Sequence, residues 1–192
     1  MFYDIDEYIH LSGYTNIKIF LNQEKFNNCS KIYLNWVFHT DNNLVYYKNY
    51  SLKERFPELE KNALIQYNYS QKVKSILRGN ISDFKLHKKN HPSHIITDSI
   101  KACNGFGKEV ILNKEYYMEN SDSKYYYIDQ YFSKSTEEFV DKVKKGSAVN
   151  GDRQDFKMFR IFRYFNINML KPEKVKYILN HINIKIEDNI LE

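Results

Sequence analysis

Alternation of apolar and polar residues predicts strands in the first two thirds of the chain. The clearest case is KIYLNWVF (31–38), which we expect to be a half-buried strand because residues two apart share a face. The apolar residues on that face are Ile32, Leu34, Trp36 and Phe38. QKVKSILRG (71–79) and YYYIDQYF (125–132) also predict strands.

Helix signals lie mainly near the C-terminal end. Ser135 with Glu138 forms a capping box, and Gly146 marks the end of that helix. A last helix begins at Pro172, and its apolar stripe contains Val175, Ile178, Leu179 and Ile182. Ser51 and Glu54 predict one further helical turn.

Turn residues complete the prediction. Asp41, Asn42 and Asn43 predict a turn, and the extended stretch after them suggests a hairpin. The glycines around Phe106 are wrongly spaced for a phosphate-binding loop and predict a simple turn. Strands followed by late helices, with no linker or repeat, predict one mixed α and β domain over residues 1–192.

Composition narrows the class of protein. Hydrophobic residues make up 42% of the 192 residues, which is typical of a globular domain. The net charge of +5 is spread in ones and twos along the chain, so nucleic acid is not the expected partner. No apolar run approaches the ~20 residues of a membrane span, and the acidic N-terminus does not resemble a signal peptide.

The two cysteines, Cys29 and Cys103, match no CxxC metal or redox motif. We therefore expect two reduced, partly buried thiols and a soluble protein of the cytoplasm.

Asp4 and Asp6 are the first candidates for chemistry. If the opening residues form a strand, these carboxylates share one face and Ile5 turns toward the core. Their Cα atoms would lie ~6.6 Å apart, so both can approach one divalent cation if the side chains lean together. The alternative is that Asp-x-Asp merely ends a surface strand.

Several segments, read in order, resemble a known family. They are FYDIDEYI, LNWVFHTDNNLVYYKNYSLKERFP, KVKSILRG, HPSH, YYYIDQYFSKSTEEFVDKVKKGSA and FRYFNINMLKPEKVKYI. Together, from residue 2 to about residue 182, they look like the C-terminal half of the family 2-like glycosyltransferases, a group related to family 92. The resemblance implies a partial A-type glycosyltransferase fold, with an α/β mixed sheet and late helices. It also implies that the N-terminal donor-binding half is missing, so a partner chain would supply it.

The resemblance implies roles for particular residues. Asp4 and Asp6 would hold a divalent cation, Mn²⁺ or Mg²⁺, together with a nucleotide-sugar donor, and Glu7 flanks them. Residues that would bind the donor or a glycan acceptor are Arg55, Lys74, Arg78, His91, His94 and Lys134. The alternatives are ordinary ion pairs for the basic residues, packed or solvated imidazoles for the histidines, and helix capping near Lys134.

Two functions follow as hypotheses. The first is transfer of a sugar from a nucleotide diphosphate to a hydroxyl acceptor, with a carboxylate as base; the candidates for that base are Asp98, Asp129 and Glu137. The second is a non-catalytic accessory subunit that binds sugar or a partner chain through its tyrosine-rich surface. Gln130 stands where the family usually has a histidine, which places activity in question.

Overall fold

The computed structural model describes residues 5–59, 72–79, 85–86, 95–96, 101–111, 118, 124–145 and 171–182. Within them the fold is α/β, with a mixed, open sheet and the longer helices late in the chain, as the sequence predicts. The chain divides into two compact units, Met1–Phe38 with Glu60–Gln130 and His39–Leu59 with Tyr131–Glu192. No helix of the described residues is long and apolar enough to cross a membrane.

The first unit is built on the sheet. Its strands are β1 (Glu7–Leu11), β2 (Lys31–Phe38), β3 (Val73–Leu77), β4 (Lys85–Leu86), β5 (Ile95–Ile96), β6 (Ala102–Asn104) and β7 (Tyr126–Gln130). The main sheet has the order β1-β7-β2-β3, and β6 also pairs with β2. Strand β2 runs parallel to β6 and β7 and antiparallel to β3, whereas β1 and β7 are antiparallel. The short strands β4 and β5 form a separate antiparallel pair.

Strand β2 confirms the prediction of a strand, but the expectation that it is half-buried is wrong. Nearly all its side chains are buried, because β2 has strands on both sides and packing on both faces. One face carries Ile32 and Leu34 into an apolar core with Ile76, Ile128 and the helix α1 (Ile17–Leu21). Phe20 and Phe26 complete that core at full burial, the latter from a 3₁₀ turn at Glu24–Phe26.

The prediction for the residues that precede β1 is wrong. Residues 5 and 6 form a turn, so the alternation expected of a strand does not apply to them. Ile5 is 91% exposed, whereas Asp6 is buried. The acidic side chain thus enters the protein while the apolar one stays in solvent.

The two cysteines form a disulfide, so the expectation of reduced thiols is wrong. Cys29 and Cys103 lie 5.8 Å apart between Cα atoms and are bonded through their sulfurs. The register that sets Ile32 of β2 opposite Cys103 of β6 brings them together. Both belong to the apolar core. Disulfides persist in oxidising compartments, so the cysteines no longer support the expectation of a cytoplasmic protein.

The opposite face of β2 buries a lysine. Lys31 is 3% exposed, and its Nζ lies 4.6 Å from the centre of the Tyr33 ring, two residues further along the same face. Burial lowers the pKa of Lys31 to about 8 and raises the pKa of Tyr33 to about 12. Both shifts favour the neutral forms in the folded protein.

These pKa shifts predict a stability maximum near pH 10. Between pH 8 and about 10 the folded protein loses the Lys31 proton before the unfolded chain does, so stability rises with pH, by up to about 3 kcal/mol. Between pH 10 and 12 the unfolded tyrosine ionises first, so stability falls. Urea unfolding followed by the fluorescence of Trp36, the only tryptophan, measures this profile. In Lys31→Met the rise between pH 8 and 10 should flatten; an unchanged rise would contradict the assignment.

The second unit contains α2 (Leu52–Arg55), α3 (Thr136–Lys145) and α4 (Pro172–His181). The predicted capping boxes at Ser51 with Glu54 and at Ser135 with Glu138 are both present. The core between the two longer helices is apolar and consists of Phe139, Val140, Val143, Ile178 and Ile182.

Helix α4 begins at Pro172 as predicted, but its buried stripe differs from the expected one. Leu179 is 62% exposed, and Lys174 is fully buried in line with Ile178 and Ile182. The Lys174 ammonium lies 2.5 Å from Asp41 Oδ2 and 3.3 Å from Asn43 Oδ1. An acidic partner therefore allows a lysine to occupy a core position of this helix.

The predicted turn at residues 41–43 is present, but the hairpin is not. Asn42 and Asn43 have positive φ angles of 47° and 56°, a conformation that asparagine adopts more readily than most residues. The following backbone bonds to a helix instead of a strand: Thr136 N donates to Leu44 O and Glu137 N to Val45 O, at 3.0 and 2.9 Å.

Candidate functional site

The candidate site lies on one face of the main sheet, where the buried side chains change from apolar to polar along the strands. Toward one end of that face are Ile32, Ile76 and Ile128; toward the other are Glu7, Lys74 and Gln130, all buried. Phe38 and Gln130 end the parallel strands β2 and β7 and face each other in register. The carboxyl ends of parallel strands are where α/β sheets place their ligand sites.

Glu7 is the centre of this polar cluster. Its Oε2 lies 3.1 Å from Lys74 Nζ, and its Oε1 accepts a hydrogen bond of 3.2 Å from Gln130 Nε2. These contacts join β1, β3 and β7. A buried carboxylate is tolerated only when it is paired in this way, so Glu7 is held in one position.

Two polar atoms of the cluster have no hydrogen-bond partner in the structure. They are Gln130 Oε1, an acceptor, and Trp36 Nε1, a donor. Trp36 lies on the same face as Gln130, and Lys74 Nζ is 5.8 Å from the centre of its ring. Buried polar atoms are nearly always satisfied, so these two atoms are open to a hydrogen bond from a ligand or an ordered water.

Asp6 lies next to this cluster in sequence and is buried. A carboxylate is the hard oxygen donor that Mn²⁺ and Mg²⁺ prefer, so the chemistry of Asp6 suits the predicted cation. Asp4, the second predicted ligand, lies outside the described residues. Among the described residues no three His, Cys, Asp or Glu side chains come together as a metal site. The metal site at Asp4 and Asp6 stays a prediction.

Arg55 is occupied by a structural ion pair. Its Nη1 lies 2.6 Å from Glu138 Oε2, and its guanidinium stacks near Tyr47 and Phe56 at 4.8 and 4.9 Å from their ring centres. Burial acts to raise the pKa of Glu138, but hydrogen bonds from Arg55 and Ser135 outweigh it and hold that pKa below its usual range. This geometry matches the alternative interpretation of Arg55 and does not show a substrate contact.

Arg78 also bonds within the protein. Its Nη2 donates to Phe26 O at 3.0 Å and its Nη1 to Asn27 O at 3.4 Å. Arg78 lines an open cleft of about 600 Å³ together with Phe26, Cys29 and Leu77. Arg78 thus lines this cleft, whereas Lys74 belongs to the polar cluster around Glu7, so the two predicted ligand residues do not share a site.

The start of α3 has no free amide for an anion. The amides of Ser135 and Glu138 bond within the capping box, and those of Thr136 and Glu137 donate to Leu44 O and Val45 O. Lys134, with a positive φ of 51°, precedes this turn and is half-buried. The capping interpretation therefore accounts for this helix start, and substrate binding by Lys134 stays a prediction.

The remaining candidates divide into two groups. His91, His94 and Asp98 lie outside the described residues. Asp129 is buried on β7 opposite Tyr8, and Glu137 Oε2 accepts a hydrogen bond of 2.7 Å from Tyr47 N. No contact among the described residues selects either carboxylate as a base.

Sequence reasoning missed the role of Glu7 and the Asp41–Lys174 pair. Lys174 stands four residues before Ile178 and eight before Ile182, so its position in the apolar stripe was a usable signal. For Glu7 the chain offers no comparable signal, since its partners are remote in sequence.

Comparisons of the chain with protein-family models, with curated proteins and with solved structures find no match.

Proposed function

We propose that this chain is a glycosyltransferase that moves a sugar from a nucleotide-diphosphate donor to a hydroxyl of a glycan. The observation that carries the proposal is the buried polar cluster of Glu7, Lys74 and Gln130 at the carboxyl ends of β2 and β7. Asp6, which precedes Glu7 in sequence, is also buried. A mixed α/β sheet with such a cluster at its strand ends suits a nucleotide-sugar enzyme.

Each residue of the cluster has a distinct part in this proposal. Lys74 and Gln130 neutralise and fix Glu7. Asp4 and Asp6 keep the cation role that the resemblance implies. Gln130 Oε1 and Trp36 Nε1 are an acceptor and a donor that a polyhydroxylated ligand can satisfy. A bound Mn²⁺ or Mg²⁺ would supply charge neutralisation for a departing diphosphate.

Donor binding tests the proposal. Isothermal titration calorimetry with UDP-, GDP- and dTDP-sugars should show binding that requires Mn²⁺. Asp6→Asn should weaken it by about 100-fold, because loss of even an outer-shell partner weakens a metal site by 10–100-fold.

The matched control is Glu109→Gln, which removes an exposed carboxylate that pairs with Lys101 at 3.0 Å. It should bind donor like the unaltered protein. Failure of all three donor classes to bind with Mn²⁺ would overturn the proposal for this chain. Binding of a glycan without binding of any donor would favour the accessory-subunit hypothesis.

A further inference from the structure

A cluster of aromatic rings lies on the surface of the second unit, formed by Tyr46, Tyr177 and His181. The Tyr46 and Tyr177 rings meet edge to face, with centres 5.6 Å apart. The His181 ring stacks on Tyr177, with centres 4.0 Å apart and planes 13° from parallel. Tyr46 is 63% exposed, so much of its ring is open to solvent.

The loop that carries Tyr46 is held by its backbone. Residues 44 and 45 accept hydrogen bonds from the first amides of α3, and Tyr47 N donates to Glu137 Oε2 at 2.7 Å. Tyr177 packs against the apolar core between α3 and α4. The rings are therefore presented in a fixed arrangement, which lowers the entropy lost when a ligand binds.

Hydrogen-bonding groups surround these rings. His181 Nδ1 lies 2.7 Å from Tyr177 O, and a carbonyl only accepts, so Nδ1 carries the proton. In the neutral imidazole Nε2 is then an acceptor on an exposed side chain. Burial raises the pKa of the Tyr177 hydroxyl, and the negative charges of Glu137 and Asp141 raise it further. These two carboxylates stand one turn apart on α3 and lie near Tyr177.

We infer that the Tyr46–Tyr177–His181 cluster binds a neutral, pyranose-containing glycan. The C–H face of a pyranose is apolar and flat enough to stack on an aromatic ring, while its hydroxyls are donors for the Glu137 and Asp141 carboxylates and for His181 Nε2. The exposed Leu179 of α4 stands two residues from Tyr177, about 200° around the helix, so it is not part of the ring cluster.

Binding at this cluster does not depend on the proposed transferase activity. The carboxylates Glu137 and Asp141 that would contact the glycan belong to α3, a helix of ten residues. Because these carboxylates are carried by a helix, they would hold a bound glycan in one defined orientation.

The test is a microarray of neutral hexose and N-acetylhexosamine oligosaccharides, followed by calorimetry with the best-bound oligosaccharide. Tyr46→Ala should lower the affinity by about tenfold or more, a change typical of the loss of one stacked ring. Tyr46→Phe should keep most of it, because the ring remains. Tyr50→Ala is the matched control, since Tyr50 is as exposed as Tyr46 and lies in the same loop.

Two results would overturn the inference: no glycan bound on the array, or binding that Tyr46→Ala leaves unchanged. Self-association of the protein that Tyr46→Ala abolishes, measured by sedimentation without glycan, would overturn it in favour of a protein contact. Donor titration of the same samples separates the two proposals. If glycan binding depends on Tyr46 while no donor binds, the transferase proposal fails and the glycan site stands.

Discussion

Replacing Lys174 by methionine is expected to lower the free energy of unfolding of the second unit by about 3–5 kcal/mol. Lys174 and Asp41 are fully buried, and the ammonium lies 2.5 Å from the carboxylate. Burial raises the pKa of Asp41 and lowers that of Lys174, so each charge depends on the other for compensation. Urea unfolding followed by circular dichroism at 222 nm reports the helices α3 and α4.

The control is Lys176→Met, which removes an exposed lysine from the same helix and should change stability little. The double variant Asp41→Asn with Lys174→Met should recover much of the loss, since no uncompensated buried charge remains. A single Lys174→Met variant as stable as the Lys176→Met control would show that the pair contributes nothing.

Reduction of the Cys29–Cys103 disulfide should destabilise the first unit by about 4 kcal/mol. The bond joins residues separated by 74 positions, and the chain-entropy estimate for a loop of that length is about 4 kcal/mol. It also ties the short strand β6 to the segment just before β2, inside the apolar core. Urea unfolding with and without dithiothreitol, followed through Trp36, measures the difference.

A variant with both Cys29→Ala and Cys103→Ala is the control for the reductant itself. Its stability should be low and should not respond to dithiothreitol. Two free thiols in the native, unreduced protein, counted by a thiol reagent after unfolding in urea, would contradict the bond.

The elements that the sequence predicted correctly depend on neighbouring residues. Strands β2 and β3 follow from alternation, and β7 follows from its run of aromatic residues. Helices α2 and α3 follow from capping boxes whose two partners stand three residues apart. The turn at Asn42 and Asn43 follows from their tolerance of positive φ. In each case the physical cause acts between residues that are close in sequence, so the sequence alone is sufficient to predict the element.

The candidate site was predictable only in part. Lys74 and Gln130 were singled out through the resemblance, and Asp6 through its motif, but not as one cluster around Glu7. The Glu7 partners lie in β3 and β7, so the contacts exist only once the sheet has set those strands in register. The turn at residues 5 and 6 likewise reverses the expected sides of Ile5 and Asp6.

By itself, then, the amino-acid sequence determined an α/β chain with strands first, longer helices late, and caps at Ser51 and Ser135. Only the tertiary structure decided that Cys29 bonds to Cys103, that Lys174 is buried against Asp41, and that Glu7 is held by Lys74 and Gln130. The reason is that alternation and capping are local backbone preferences, whereas burial of a charge or a sulfur depends on which distant residue the fold sets against it.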